Sequence, residues 1–136
     1  MGVETIGQGI ATRLETITGL RVYSVDETPD MVNEFPCALV QHVGTDYIQT
    51  MGAASDRHSF RILLLVTKQD QPAAFDKLLP YLERTGTYSV LAALLGDRTL
   101  GGAASDITVV GNTGQSAIGW GSVQYLGTSF DLEVYA

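Results

Sequence analysis

The segment HSFRILLLVTK, residues 58–68, restricts the folds open to this 136-residue chain more than any other stretch. Phe60, Ile62, Leu64 and Val66 alternate onto one face of an extended strand, while Leu63 and Leu65 fall on the other. Apolar side chains on both faces require a central strand with cover above and below. The rest of the chain has to supply neighbouring strands and two covering layers.

The neighbours are legible. CALVQHV, 37–43, reads as a strand, as does LRVYSVD, 20–26, with the polar, proline-bounded ETPDMVNEFP between them. ITVV, 107–110, is a further strand, followed by the turn GNTGQS, 111–116. At the end of the chain Phe130, Leu132 and Val134 alternate with Asp131, Glu133 and Tyr135, the pattern of a half-buried antiparallel strand. Gly127 marks a bulge or bend within it.

Cover comes from helices. Val3, Ile6, Ile10, Leu14 and Ile17 form one apolar stripe at helical spacing. Gly7 and Gly9 each weaken that helix by about 1 kcal/mol relative to alanine, so it needs a surface to dock on. Gly19 ends it. A second helix, capped at Asp70 or Gln71 with Pro72 in its first turn, carries Phe75, Leu78, Leu79 and Leu82. Pro80 is expected to kink or shorten it. A third, short helix begins at Thr87 or Ser89 and carries Val90, Leu91, Leu94 and Leu95. Helices and strands occur in blocks, which predicts one α+β domain over 1–136: a mostly antiparallel β-sheet with an N-terminal helix, two central helices and a long loop or hairpin extension. Residues 44–57 are that extension, longer than a tight hairpin turn and carrying Tyr47, Ile48 and Met51.

Composition narrows function mainly by exclusion. Hydrophobic residues make up 45% and charged residues 17%, as in an ordinary globular chain. The net charge of −7 is spread along the sequence without a basic stripe, which disfavours tight binding to nucleic-acid backbones. The longest apolar run, Ile62–Val66, is far short of a bilayer span, so no membrane association is expected. Cys37 is alone and flanked by apolar residues, so a buried, inert thiol is expected.

Motifs for chemistry are sparse. His42, Asp46, Asp56 and His58 cluster around the extension, without the spacing of a metal motif. A cross-strand pair is the expected role of the two histidines. No G-x-S-x-G frames a serine, GQG at 7–9 lacks the context of a dinucleotide fingerprint, and Leu100-Gly101-Gly102 reads as a tight turn. Trp120, between glycines, is either a partner anchor or a core plug. No cofactor or metal is expected. A small metal-dependent hydrolase using His42, His58 and Asp56 is the enzymatic alternative.

The stretch GTYSVLAALLGDRTLGGAASDITV, 86–109, resembles a segment of the tail terminator and tail completion proteins of long-tailed, siphovirus-type bacteriophages. The matching features are Ser89-Val90 at a helix start, acidic Asp97, Thr99-Leu100-Gly101-Gly102, and Asp106 with Val109 at a strand start. The N-terminal helix running into GLRVYSVDETPDMVNEFPCALV and the closing YLGTSFDLEVYA are further parallels, whereas Pro80 and Ala103-Ala104 depart from the pattern. The resemblance implies a non-enzymatic virion protein, made in the host cytoplasm and placed in the tail or neck. It would form a homohexameric ring that caps the tail tube, ends its polymerisation and offers the head–tail joining surface. The implied partners are further copies of itself, the major tail tube protein and a head–tail connector or stopper, with genome DNA passing the lumen without specific binding. Another neck protein, a stopper or adaptor, is the alternative. A neutral or acidic lumen is expected, not one lined by Arg13, Arg21 or Arg61. The expected partner interface is Asp46, Tyr47, Ile48, Gln49, Met51 and Arg57.

Overall fold

The computed structural model describes residues 2–30, 32, 34–47, 56–68, 76–121 and 123–136. Helix α1, Val3–Leu14, is followed by strands β1, Arg21–Tyr23, β2, Cys37–Asp46, and β3, Arg57–Lys68. Two short helices come next, α2, Leu79–Leu82, and α3, Val90–Leu95. The chain closes with β4, Asp106–Asn112, β5, Ser116–Trp120, and β6, Val123–Tyr135. The expected α+β architecture is present as one mixed, mostly antiparallel sheet in the order β1-β2-β3-β6-β4. Among the described residues, only β1 runs parallel to its neighbour, β2.

β3 lies at the centre, between β2 and β6, as its two apolar faces demand. β6 is long enough to hold two strands end to end along its other edge. Its first half pairs with β5, Ser116↔Gly127 to Trp120↔Val123, and its second half with β4, Asp106↔Tyr135 to Asn112↔Phe130. The expected turn 111–116 is therefore shortened to residues 113–115, because pairing with β6 satisfies the backbone of Gly111, Asn112 and Ser116.

One face of the sheet carries the main core. Ile6, Ile10, Leu14 and Ile17 of the N-terminal stripe are at most 2% exposed and pack with Phe60, Ile62 and Leu64, and with Phe130, Leu132 and Val134. Each such side chain contributes about 1.5–3 kcal/mol on burial. The two glycines of α1 have a packing reason. A Cβ on Gly7 would lie 2.4 Å from Val25 Cγ1, and one on Gly9 would lie 2.9 Å from Leu100 Cβ. Lost helix propensity is exchanged for close approach.

The other face is covered only in part. Val32, Cys37, Leu39, Leu63, Leu65 and Tyr125 form a second small core, with Phe35, Ile118 and Trp120 packed around it. The connection between the parallel β1 and β2 supplies its lid. Trp120 Nε1 donates to the Pro29 carbonyl at 2.9 Å, and the Tyr125 hydroxyl accepts from the Val32 N–H at 3.2 Å. Trp120 is half-buried at the edge of this second core.

The described part of the second helix is short, one of the two outcomes expected of Pro80, which stands in the first turn of the four-residue α2, where its missing N–H leaves no bond unmade. One expectation needs correction. Leu79 points to solvent at 47% exposure although Leu78 is fully buried, so the expected stripe breaks there. The proposed cap at Asp70 or Gln71, and Pro72 and Phe75, lie outside the described residues.

Candidate interaction surface

The extension begins later than the sequence suggests. Gly44, Thr45 and Asp46 are still paired with Ser59, His58 and Arg57, so 44–46 and 57 belong to strands and the connection spans only 47–56. Antiparallel pairing continues because the chain can restore register after a bulge at Val43. Asp46 and Arg57 form the last rung. Arg57 Nε donates to Asp46 Oδ2 at 3.0 Å, and Nη2 reaches the same oxygen. An exposed pair of this kind contributes little stability; its effect is to close the end of the strand pair. Tyr47 follows directly and is 73% exposed. Ile48, Gln49 and Met51 lie outside the described residues. The return of the connection is tied to the chain end, since Asp56 N–H donates to the Ala136 carbonyl at 2.7 Å and Ala136 N–H donates back to Asp56 at 3.1 Å.

Just inside this rung sit both histidines. They are not directly opposite: His42 pairs with Phe60 and His58 with Thr45. The bulge brings them together, with ring centroids 6.3 Å apart. Thr45 Oγ1 lies 2.9 Å from His42 Nε2 and 2.9 Å from His58 Nδ1. A hydroxyl has one proton and two lone pairs, so Thr45 donates to at most one ring and at least one ring N–H donates to it, the roles following the tautomers. His58 is only 6% exposed. Burial holds its pKa below the usual histidine value, the His42 ring acts in the same direction, and the Asp56 carboxylate opposes them. Among the described residues no three His, Cys, Asp or Glu side chains are grouped to hold a metal ion. Cys37 is fully buried and desolvation pushes its thiol up to about 12, in keeping with an inert cysteine.

The junction 86–109 is built around a strained turn. Ser89 caps α3, accepting from Ala92 N–H at 3.1 Å and donating to the Glu83 carbonyl at 2.6 Å. Beyond α3, Leu100, Gly101 and Gly102 take φ values of 53°, 72° and 96°. A left-handed conformation costs a leucine about 1–2 kcal/mol. Compensation is local. Leu100 is 4% exposed and seated on Gly9 of α1. The Asp97 carboxylate accepts from the Thr99 hydroxyl at 2.7 Å, Thr99 N–H at 3.1 Å and Gly101 N–H at 3.0 Å. The Thr99 hydroxyl foremost, then the two N–H groups, hold its pKa below the usual carboxylate range. Arg98 forks onto Asp106 at 2.7 and 3.2 Å and reaches the Ile107 carbonyl at 2.9 Å, fixing the start of β4. Arg13 of α1 lies on Gly96 and donates to the Ala93 carbonyl at 2.9 Å.

Of the arginines named above as unsuited to a lumen, Arg21 and Arg61 share the face of the sheet opposite the helices, and Arg13 does not. Arg13 is on the helix side, Arg21 stacks over the Tyr23 ring at 4.3 Å, and Arg61 pairs with Asp131 at 3.1 Å on the opposite face of the sheet. The described residues include no helix long and apolar enough to cross a membrane. Two exposed valines, Val43 and Val110, escaped the sequence reading. The available signal was the dipeptide Val-Gly at 43–44 and at 110–111, since a glycine inside a strand pattern marks a bulge.

No model of a known protein family matches the chain, and no curated protein matches it at a significant level.

Proposed function

We propose that the protein is a structural subunit of a long-tailed phage virion: a tail terminator that assembles into a ring, caps the tail tube and offers the joining surface for the head. The observation that carries this reading is the junction 89–109. The residues of the likeness, Ser89, Asp97, Thr99-Leu100-Gly101-Gly102 and Asp106, work as one unit that locks α3, a left-handed turn and β4 onto α1. Such a lock fixes the angle between helix layer and sheet, which a subunit needs in order to close a ring through unlike faces.

In this reading the strand pair β2–β3 is the reaching element. It ends in the Asp46–Arg57 rung and an exposed Tyr47, and tyrosine is enriched at interfaces. Capping is occlusion: the ring pairs with the last layer of the tube and presents no further copy of the tube's own polymerising surface. Electron microscopy of the purified protein, with and without tail tubes, tests it. Rings alone or at tube ends are expected, and Tyr47→Ser is expected to fold normally while capping fewer tubes. A protein that stays monomeric and leaves tubes uncapped overturns the reading.

A further inference from the structure

The two exposed valines are placed by a matched pair of defects in the sheet. His42, Phe60, Leu132 and Val109 are in register across β2, β3, β6 and β4. On each flanking strand the next residue is skipped, and pairing resumes at Gly44↔Ser59 and Gly111↔Asp131. The skipped residues are Val43 and Val110. They are 55% and 62% exposed, yet both line one depression of about 250 Å³ on the face opposite the helices. Bulges re-aim side chains; here two of them raise an apolar wall on each side of a polar floor.

The floor is acidic on balance. Arg61 is matched by Asp131 at 3.1 Å, and Glu133 is added, held by the Tyr135 hydroxyl at 3.2 Å. The shape suits a side chain with an apolar stem and a cationic tip. A surface of that kind exists on the helix side of the same chain. Lys77 is exposed and has no ion pair among the described residues; Tyr88, which lines the same depression, is 43% exposed, and Leu79, two residues along the chain from Lys77, is 47% exposed.

We infer that a second copy of this chain docks its α2 patch into the cleft between Val43 and Val110, with Lys77 directed at Asp131 and Glu133. Charge complementarity selects this occupant, and Leu79 and Tyr88 supply apolar surface to meet the valines. The two surfaces lie on opposite sides of the sheet, so the contact is heterologous and repeats from copy to copy. This assignment rests on the ring reading and names the faces that such a ring would join.

The test is sedimentation velocity on the full chain, alone and with its tail tubes, for wild type and three variants. Val43→Asp with Val110→Asp is expected to weaken self-association about tenfold or more, and Lys77→Glu to do the same. Combining Lys77→Glu with Glu133→Lys is expected to recover most of the loss, which a misfolded variant would not do. All four positions are on the surface, and matching thermal melts establish that folding is intact. Rings of wild-type stability in the valine variant, or failure of the charge swap to rescue, overturn the assignment and leave the ring reading standing. Rings that form normally but no longer bind tubes show that this face meets the tube, which also overturns it. A wild-type chain that remains monomeric with and without tubes overturns the ring reading itself.

Discussion

The two faces of the sheet are built from the same strands, residue by residue, yet they differ in what holds them. The helix-side face buries Phe60, Ile62, Leu64 and Phe130, Leu132, Val134 under α1, α3 and the turn at Leu100. The opposite face has a buried apolar core only where Val32 and Phe35 of the β1–β2 connection, and β5, cover it, at Leu39, Leu63, Leu65 and Tyr125. Beyond that lid the same strands present Ser59, Arg61, Asp131 and Glu133 to solvent. Stability is concentrated where two layers meet, and the uncovered half of the sheet is left with polar side chains and two raised valines. A surface that contributes little to folding is free to be specified by contact.

Leu64→Ala should break the covered face most severely. The side chain is fully buried, and loss of its transfer energy plus the cavity left behind is expected to cost about 3–4 kcal/mol, read as a lower urea midpoint at unchanged slope. Gly127→Ala comes next. An added Cβ would stand 1.9 Å from the Leu64 carbonyl oxygen, so β6 must move off β3, at a cost of about 3 kcal/mol in the same assay. Gly9→Ala sharpens the comparison because its sign is diagnostic. Helix propensity alone predicts a gain of about 1 kcal/mol, whereas contact with Leu100 at 2.9 Å predicts a net loss of about 1–2 kcal/mol. A stabilised Gly9→Ala variant would mean that the strained turn does not need its seat on α1.

The remaining two probes act at the margins of the covered region. His58 is buried with its pKa held below the ordinary value of 6.5, so the unfolded chain takes up its proton first as pH falls. Its contribution is therefore fully present above about pH 6.5 and is lost as pH drops through that value toward the folded pKa. Thermal melts between pH 7 and pH 5 should show a steeper decline for wild type than for His58→Gln. The smallest effect is expected on the bare face. Arg61→Ala removes a half-exposed ion pair with Asp131 and should cost less than about 1 kcal/mol, with less effect still in high salt. A loss as large as that of Leu64→Ala would show the two faces to be equally important for folding.

What was legible in the sequence followed from regular periodicity. The two-faced pattern of 58–68 placed β3 at the centre, and the alternation at 130–134 placed Phe130, Leu132 and Val134 inward, as found. The stripe through Ile6, Ile10 and Leu14 fixed which side of α1 is buried. The structure bears on the residues of the expected interface only through pairing and exposure. Asp46 and Arg57 form a strand rung, Tyr47 is exposed, and Ile48, Gln49 and Met51 lie outside the described residues.

The amino-acid order by itself determined element type and the buried side wherever a period of 2 or 3.6 ran unbroken, because a side chain's direction then follows from backbone geometry alone. It also determined the turn at Gly101 and Gly102, whose left-handed φ values a glycine adopts without steric cost. Tertiary structure decided everything that depended on a partner remote in the chain. Gly7 and Gly9 are explained by Val25 and Leu100, Gly127 by the carbonyl of Leu64, and Trp120 by the carbonyl of Pro29. The raised positions of Val43 and Val110 arose when β2 and β4 each skipped one residue against a straighter neighbour. Register is a property of two strands together, so neither strand's own sequence fixes where the skip falls.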